Sequence, residues 1–202
     1  MSAPIPLADA WDRLKVAAVR WWPDLRKQSA ELASGQIVDA ALGEPLWRAD
    51  VTLPPAYHAD AAVDEAVLSW LQTPGVRFLA ADPRYNGPRA MPNVAFPGVT
   101  LASIAADRQT ITLGGFTGAI SPGDMLSVAY GTHQFSLHRA VTGATNAGSF
   151  RVTPYVRFGV NAGAAVELRR PVAAFKLMVP DFGMSAPLIS PGASFSMVQA
   201  LR

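Results

Sequence analysis

Apolar and polar residues alternate most regularly over positions 46–53. The apolar positions are Trp47, Ala49, Val51 and Leu53, and the polar positions between them are Arg48, Asp50 and Thr52. A period of two is typical of a strand that buries one face and leaves the other open. Pro54 and Pro55 follow, and we expect the strand to end there because neither proline can donate a backbone hydrogen bond.

An amphipathic helix is predicted over residues 60–72. Asp60 is a suitable N-cap, and Asp64 and Glu65 lie in the first turns, where the helix dipole favours negative charge. Four apolar residues at helical spacing are expected to pack on the core as one stripe: Val63, Val67, Trp70 and Leu71.

Two more segments with strand-like composition lie on either side of this unit. Residues 76–81 predict a strand that closes in a turn formed by residues 82–84. Residues 31–41 predict a strand that is interrupted near Ser34 and Gly35 by a bulge or a hairpin turn.

The N-terminal residues 11–22 leave two alternatives open. They fit a strand throughout, or a helix over residues 8–14 followed by a strand. Trp21 and Trp22 cannot both face inward on a strand, because neighbouring side chains point to opposite faces. One of them is therefore a candidate for contact with a partner or a ligand.

The second half of the chain predicts a further group of strands. Glycines and prolines mark residues 86–98 as a linker. Short strands with turn signals between them follow at 100–105, 110–116, 124–130, 134–141, 149–156 and 164–169. A spacing of roughly a dozen residues with Gly-rich breaks is typical of a small barrel or sandwich.

Two final strands are predicted over residues 175–179 and 195–201, separated by a loop rich in Pro, Gly and Ser. They leave too few residues for a third domain, so we expect them to return to the first part of the chain. The predicted fold is all-β with one short helix. A β-sandwich or barrel domain, 1–97 plus 173–202, carries an inserted small β-barrel domain, 98–172.

Several motifs follow one another in a fixed order over most of residues 35–202. They are Gly35, Leu42-Gly43, and the segments 47–53, 77–84, 87–89, 121–126, 138–141, 151–157, 166–171 and 194–201. This order resembles the distal tail proteins of long-tailed (siphovirus-like) bacteriophages and related phage-derived particles. The resemblance implies a tail-tube-like first domain, to which the inserted barrel is attached.

The resemblance also implies a function and partners. Such proteins form a sixfold homomeric ring at the virion tail tip, which joins the tail tube protein to the tail hub or baseplate. The ring is a structural part of the virion and is assembled in the cytoplasm of the host bacterium. We therefore expect a homo-hexamer whose lumen continues the tube.

Candidate interface residues follow from the symmetry of a ring. A cyclic heterologous contact needs two different complementary patches on each subunit. One candidate patch is the outer face of the first strand, and the other consists of loops that carry Tyr and Arg, residue types that often anchor interfaces. The candidates are Arg48, Asp50, Thr52, Tyr57, His58, Arg84 and Tyr85.

The composition narrows the possible partners. Only 16% of the residues are charged, against about a quarter in a typical soluble domain, which indicates either surfaces covered by neighbours or simply an Ala-rich composition. The net charge is +2, from fourteen Arg and three Lys against fifteen acidic residues, too small a surplus to predict nucleic-acid binding. Cysteine is absent, so disulfides and thiol chemistry are excluded.

No membrane insertion or export signal is expected. The N-terminal residues lack a basic region followed by an apolar run. The longest uncharged stretch, 182–201, contains two prolines and two glycines, which do not suit a membrane helix.

The search for catalytic or metal-binding residues predicts none. His58, His133 and His138 show no ligand spacing, and no Gly-x-Ser-x-Gly elbow or lysine-bearing glycine loop is present. Asp82 and Asp124 could act as paired carboxylates, but their Pro and Gly neighbours favour turn formation. We therefore predict no enzyme activity and no cofactor.

A carbohydrate- or ligand-binding β module of a tail tip or cell-surface protein is the alternative function. Tryptophans could form a platform for sugars, and the chain has four in its first half besides Trp11: Trp21, Trp22, Trp47 and Trp70. Because Trp47 and Trp70 fall on apolar stripes, core packing is the preferred interpretation for both.

Overall fold

The structure is a computed structural model that describes residues 3–146, 148–182 and 188–201. The described chain contains one α-helix, α1 (His58–Leu71), two short 3-10 turns (Leu7–Asp9 and Trp11–Arg13) and seventeen strands. The strands are β1 (Ala18–Asp24), β2 (Lys27–Glu31), β3 (Ile37–Ala41), β4 (Leu46–Thr52), β5 (Ala56–Tyr57), β6 (Phe78–Ala80), β7 (Thr100–Ile104), β8 (Thr110–Gly114), β9 (Ala119–Ile120), β10 (Met125–Gly131), β11 (Gln134–Ala140), β12 (Ala144–Thr145), β13 (Ser149–Thr153), β14 (Val166–Glu167), β15 (Ala173–Leu177), β16 (Ile189–Ser190) and β17 (Ser194–Gln199). The prediction of an all-β fold with one short helix is confirmed.

The first part of the chain forms a five-stranded antiparallel sheet in the order β1-β4-β17-β15-β6. In β4, Trp47, Ala49 and Val51 are almost completely buried, whereas Arg48 and Asp50 are exposed. The alternation predicted from the sequence is therefore confirmed. Both final strands of the chain, β15 and β17, belong to this sheet, although residues 183–187 of the loop between them lie outside the described residues.

The inner face of this sheet is covered by a compact aromatic core. Trp21 is buried and lies edge-on to Phe175, with ring centroids 5.2 Å apart. Trp11 packs on Trp21 from the 3-10 turn before β1. Trp22 is half-buried on the other face, where the Arg20 guanidinium lies 4.9 Å from its ring centroid. The two neighbouring tryptophans thus face opposite ways, as a strand requires.

Helix α1 differs from its prediction in two respects. It begins at His58 and is preceded by Tyr57 as N-cap, so the predicted cap Asp60 is wrong. The reason is that the short strand β5 pairs with β16 and leads directly into the helix. The helix buries Ala61, Val67, Leu68 and Leu71. Val63 and Trp70 are 51% and 46% exposed, so their assignment to the core is wrong.

The structure also decides between a strand and a helix for the N-terminal residues. Residues 8–14 do not form a continuous helix but two 3-10 turns, and the strand begins only at Ala18. The segment predicted as an interrupted strand is the hairpin β2–β3, whose turn contains Gly35 with a φ of +78°. Glycine adopts this left-handed conformation without the steric cost that a side chain would bring.

The second group of strands forms a six-stranded sheet in the order β14-β10-β11-β13-β8-β7, curled into a half-barrel. It has its own cluster of buried apolar residues, among them Leu101, Leu126, Phe150 and Val152. Residues 86–98, predicted as a linker, contain no strand or helix. The two sheets are in contact, because Trp47 Nε1 donates a hydrogen bond of 2.6 Å to the carbonyl oxygen of Leu137 in β11.

Candidate interface surfaces

The outer face of β4 carries three of the candidate interface residues, and its polar groups are held in place. Arg48 Nε donates to Asp24 Oδ2 at 2.8 Å. Asp50 Oδ1 accepts a hydrogen bond of 2.7 Å from Ser196 Oγ on the neighbouring strand β17. Thr52 is exposed at the end of the strand. This face is therefore an ordered polar surface that can contact water or a partner.

Tyr57 and His58 lie beyond the C-terminal end of β4, where β5 meets α1. Tyr57 is 72% exposed and, with Pro55, Ala56 and Ile189, lines a surface recess of about 250 Å³. His58 is the first residue of the helix and is exposed. This corner is apolar and open, and it is separate from the polar face of β4.

Arg84 and Tyr85 follow β6, at the opposite edge of the five-stranded sheet from β1. Arg84 forms a two-pronged ion pair with Asp82, with distances of 2.9 and 2.7 Å, which raises the pKa of the guanidinium. Tyr85 is partly buried against the core, and burial raises the pKa of its phenol. Since β6 is three strands away from β4, about 14 Å at usual strand spacing, the candidates do not form one site.

The carboxylates considered as catalytic act in turns. Asp82 Oδ1 accepts the backbone N–H of Arg84 at 3.0 Å. Asp124 accepts the N–H groups of Ser121, at 2.7 Å, and of Arg89, at 3.0 Å. Both interactions are those expected of turn-forming aspartates.

His138 is completely enclosed in the second sheet. Its Nδ1 donates to the carbonyl oxygen of Pro154 at 2.9 Å, and its Nε2 accepts from Ser136 Oγ at 2.8 Å. Burial lowers the pKa of this imidazole to about 4, so the ring is neutral near pH 7 and carries its proton on Nδ1. Among the described residues, no three His, Asp or Glu side chains are grouped so that they could hold a metal ion.

A recess lies where the connection between β3 and β4 meets the second sheet, and the sequence does not predict it. It has a volume of about 660 Å³ and is lined by Glu44, Tyr130, Gln134, Arg157, Phe158, Gly159 and Leu201. Arg157 is buried there, which lowers its pKa, and its guanidinium pairs with Glu44 and donates to the Tyr130 hydroxyl at 3.4 Å. No sequence motif marks this recess, because its residues come from separate segments.

Neither a protein family model nor a curated protein matches this sequence. Across the described residues, no helix has the length and apolar character needed to cross a membrane.

Proposed function

We propose that this chain is a distal tail ring subunit, a structural virion protein that joins the tail tube to the tail-tip hub or baseplate. The ring is a homo-hexamer at the virion tail tip, assembled in the cytoplasm of the host bacterium. The proposal starts from the order of motifs over residues 35–202, which resembles that protein family.

The observation that carries the proposal is the hairpin β2–β3, in which every strand residue is exposed. An isolated two-stranded hairpin is at best marginally stable in water. A subunit that acts alone gains nothing from such an extension, whereas a ring subunit has a neighbour that can cover it. The chain also exposes a polar face on β4 and an apolar corner at Tyr57, two different surfaces that are open to neighbouring molecules.

Electron microscopy of the assembled particle tests this proposal. We expect density for the chain in a sixfold ring at the distal end of the tube, between tube subunits and the hub. Density in the capsid shell or in side fibres contradicts the assignment. Solution mass is a weaker test, because free subunits can remain monomeric until the tail tip templates their assembly.

A carbohydrate-binding module is the second candidate, and the recess beside Arg157 favours it. Tyr130 lines this recess, and Phe158 at its rim is 75% exposed. Aromatic faces combined with a few polar groups are typical of ligand sites. Binding of soluble glycans to the purified chain, lost in Phe158→Ala and kept in Trp22→Ala, supports this candidate. Absence of binding across a broad glycan panel contradicts it.

A further inference from the structure

The segment 26–42, here called the arm, has two chemically different faces. One face is mainly polar, although it also carries Ile37, which pairs with Glu31 and is 67% exposed. Lys27 Nζ forms an ion pair of 3.0 Å with Asp39, and the Ser29 hydroxyl donates to the same carboxylate. These contacts lower the pKa of Asp39. Lys27, Ser29 and Asp39 therefore satisfy one another without any neighbour.

The opposite face of the arm is mostly apolar and uncovered. The register pairs Ala30 with Val38 and Gln28 with Ala40, so this face consists of Ala30, Val38, Ala40, Leu32 and Leu42 together with the exposed polar residue Gln28. Leu32 and Val38 are each 47% exposed, and Leu42 is 65% exposed. The arm is thus an amphipathic ribbon whose apolar side is not buried by the described chain.

A second uncovered apolar face lies on helix α1. Its exposed positions Ala59, Ala62, Val63, Ala66 and Trp70 share one side at helical spacing. The acidic residues Asp64 and Glu65 are instead half-buried, and burial raises the pKa of Asp64. An ordinary surface helix turns its charged residues outward, so this arrangement indicates that a partner covers the outer face of α1.

The two faces match in length. The fourteen residues of α1 span about 21 Å at 1.5 Å per residue. One edge of the arm, from residue 26 to residue 32, spans roughly 20 Å at the rise of a strand. The small alanines of α1 permit close approach of the branched side chains of the arm, while Val63 and Trp70 border the contact.

Opposite charges indicate which end of the arm would lie at which end of α1. Arg26 is an exposed cation at the root of the arm. Asp60 is an exposed anion in the first turn of α1, 3.9 Å from Lys15 in an ion pair with both side chains mostly exposed. Exposed pairs of this kind are weak, so Asp60 remains available to a second cation.

Both faces are exposed in the same chain, so one chain does not bring them together. The arm leaves the five-stranded sheet at the Asp24 and Leu46 end of β1 and β4. Helix α1 begins beyond the other end of β4 and packs on the sheet. The arm of one copy and the helix of the next are therefore placed for a head-to-tail contact, which is the type that closes into rings.

We propose that the apolar face of the arm packs on the outer face of α1 in a second copy of this chain, with Arg26 near Asp60 and Leu32 near Trp70. The partner is a copy of this chain, since its own helix supplies the complementary face. This contact deepens the proposed ring function and rests on it. It assigns the arm as the donor element and the helix as the acceptor element of each subunit interface.

Cysteine cross-linking tests the contact directly, because the chain has no cysteine of its own. Val38→Cys and Ala66→Cys are prepared separately, mixed at high concentration and treated with a short bis-maleimide, both in solution and in assembled particles. We expect covalent dimers that contain one copy of each variant. The double variant should give a ladder of larger species.

The matched control replaces Glu31. This residue follows Ala30 in β2, and its side chain therefore lies on the opposite, mainly polar face of the arm. Glu31→Cys mixed with Ala66→Cys should cross-link at background level, as should Val38→Cys with itself. Reversing the cation with Arg26→Glu should lower the yield of the Val38–Ala66 dimer by up to about fivefold, and Asp60→Arg in the partner copy should restore it.

The outcomes separate this contact from the ring. No Val38–Ala66 cross-link above the Glu31 control, in solution and in particles alike, overturns the contact. Sixfold rings seen by electron microscopy without that cross-link overturn the contact and leave the ring proposal standing. A ladder of cross-linked copies that forms open chains and never closes supports the contact and contradicts the ring.

Discussion

Strand β4 and the arm are separated by only residues 43–45 in the chain, yet they differ in how much of their surface the chain itself covers. β4 buries Trp47, Ala49 and Val51 almost completely. In the arm, no residue of β2 or β3 is buried. The pairing of the strands therefore defines which side chains share a face, but it does not reveal whether the chain itself covers that face.

This difference indicates that β4 stabilises the single folded chain, whereas the arm is available for association with a second chain. Burial of apolar surface stabilises by about 25 cal/mol per Å², so the sheet around Trp47 contributes to the stability of a single chain. The exposed apolar residues of the arm contribute little until a second molecule covers them. Substitutions in the two regions should therefore separate by their effect on the isolated chain.

The largest expected effect is that of Trp47→Ala. The side chain is 1% exposed, and its Nε1 joins the two sheets through Leu137. Truncation of a buried Trp lowers the free energy of unfolding by about 3–5 kcal/mol, measured by urea denaturation. The matched variant Trp70→Ala, on the exposed face of α1, should change it by less than about 1 kcal/mol. Equal losses contradict the division between core and surface.

The buried His138 and the exposed Asp39 of the arm should also differ in how they make the free energy of unfolding depend on pH. The pKa of His138 is lowered to about 4 by burial, while its unfolded value is about 6.5, so the folded state holds the neutral ring. The stability from this group is complete above pH 6.5 and is lost as pH falls toward 4. Between pH 7.5 and pH 5 we expect a loss on the order of 2 kcal/mol in the free energy of unfolding.

The control for the pH effect is His138→Gln, which should flatten the pH dependence in this window whatever its absolute stability. The lowered pKa of Asp39 makes a contribution that disappears only below about pH 3.8, so Asp39→Asn should leave the slope between pH 7.5 and pH 5 unchanged. If the pH dependence between pH 7.5 and pH 5 is unchanged in His138→Gln, other titratable groups cause it.

The sequence alone predicts which side chains are buried where an element has one clearly apolar face. The β4 alternation and the turn aspartates Asp82 and Asp124 could be predicted because local chemistry decides them. The buried face of α1 could not be predicted, because apolar residues form a stripe on both sides of the helix. The stripe through Trp70 is as regular as the one through Leu68. Only the position of the sheet decides which stripe is covered.

The contacts of the candidate interface residues on β4 could be predicted only in part. Arg48, Asp50 and Thr52 could be placed on an exposed face because their neighbours alternate with them. The partners that fix them, Asp24 and Ser196, come from strands distant in the sequence. The recess around Arg157 and Glu44 was missed for that reason too: a contact between remote segments leaves no local spacing.

The smallest effect is expected from a pair of identical substitutions, Val51→Ala in β4 and Val38→Ala in the arm. Val51 is 1% exposed, whereas Val38 is 47% exposed. Removing buried methyl groups should lower the free energy of unfolding by about 1–3 kcal/mol, whereas an exposed substitution usually stays within about 0.5 kcal/mol. Urea denaturation of the dilute chain measures both. A loss at Val38 as large as that at Val51 means that the arm is already covered within one chain, and the contact between copies then loses its basis.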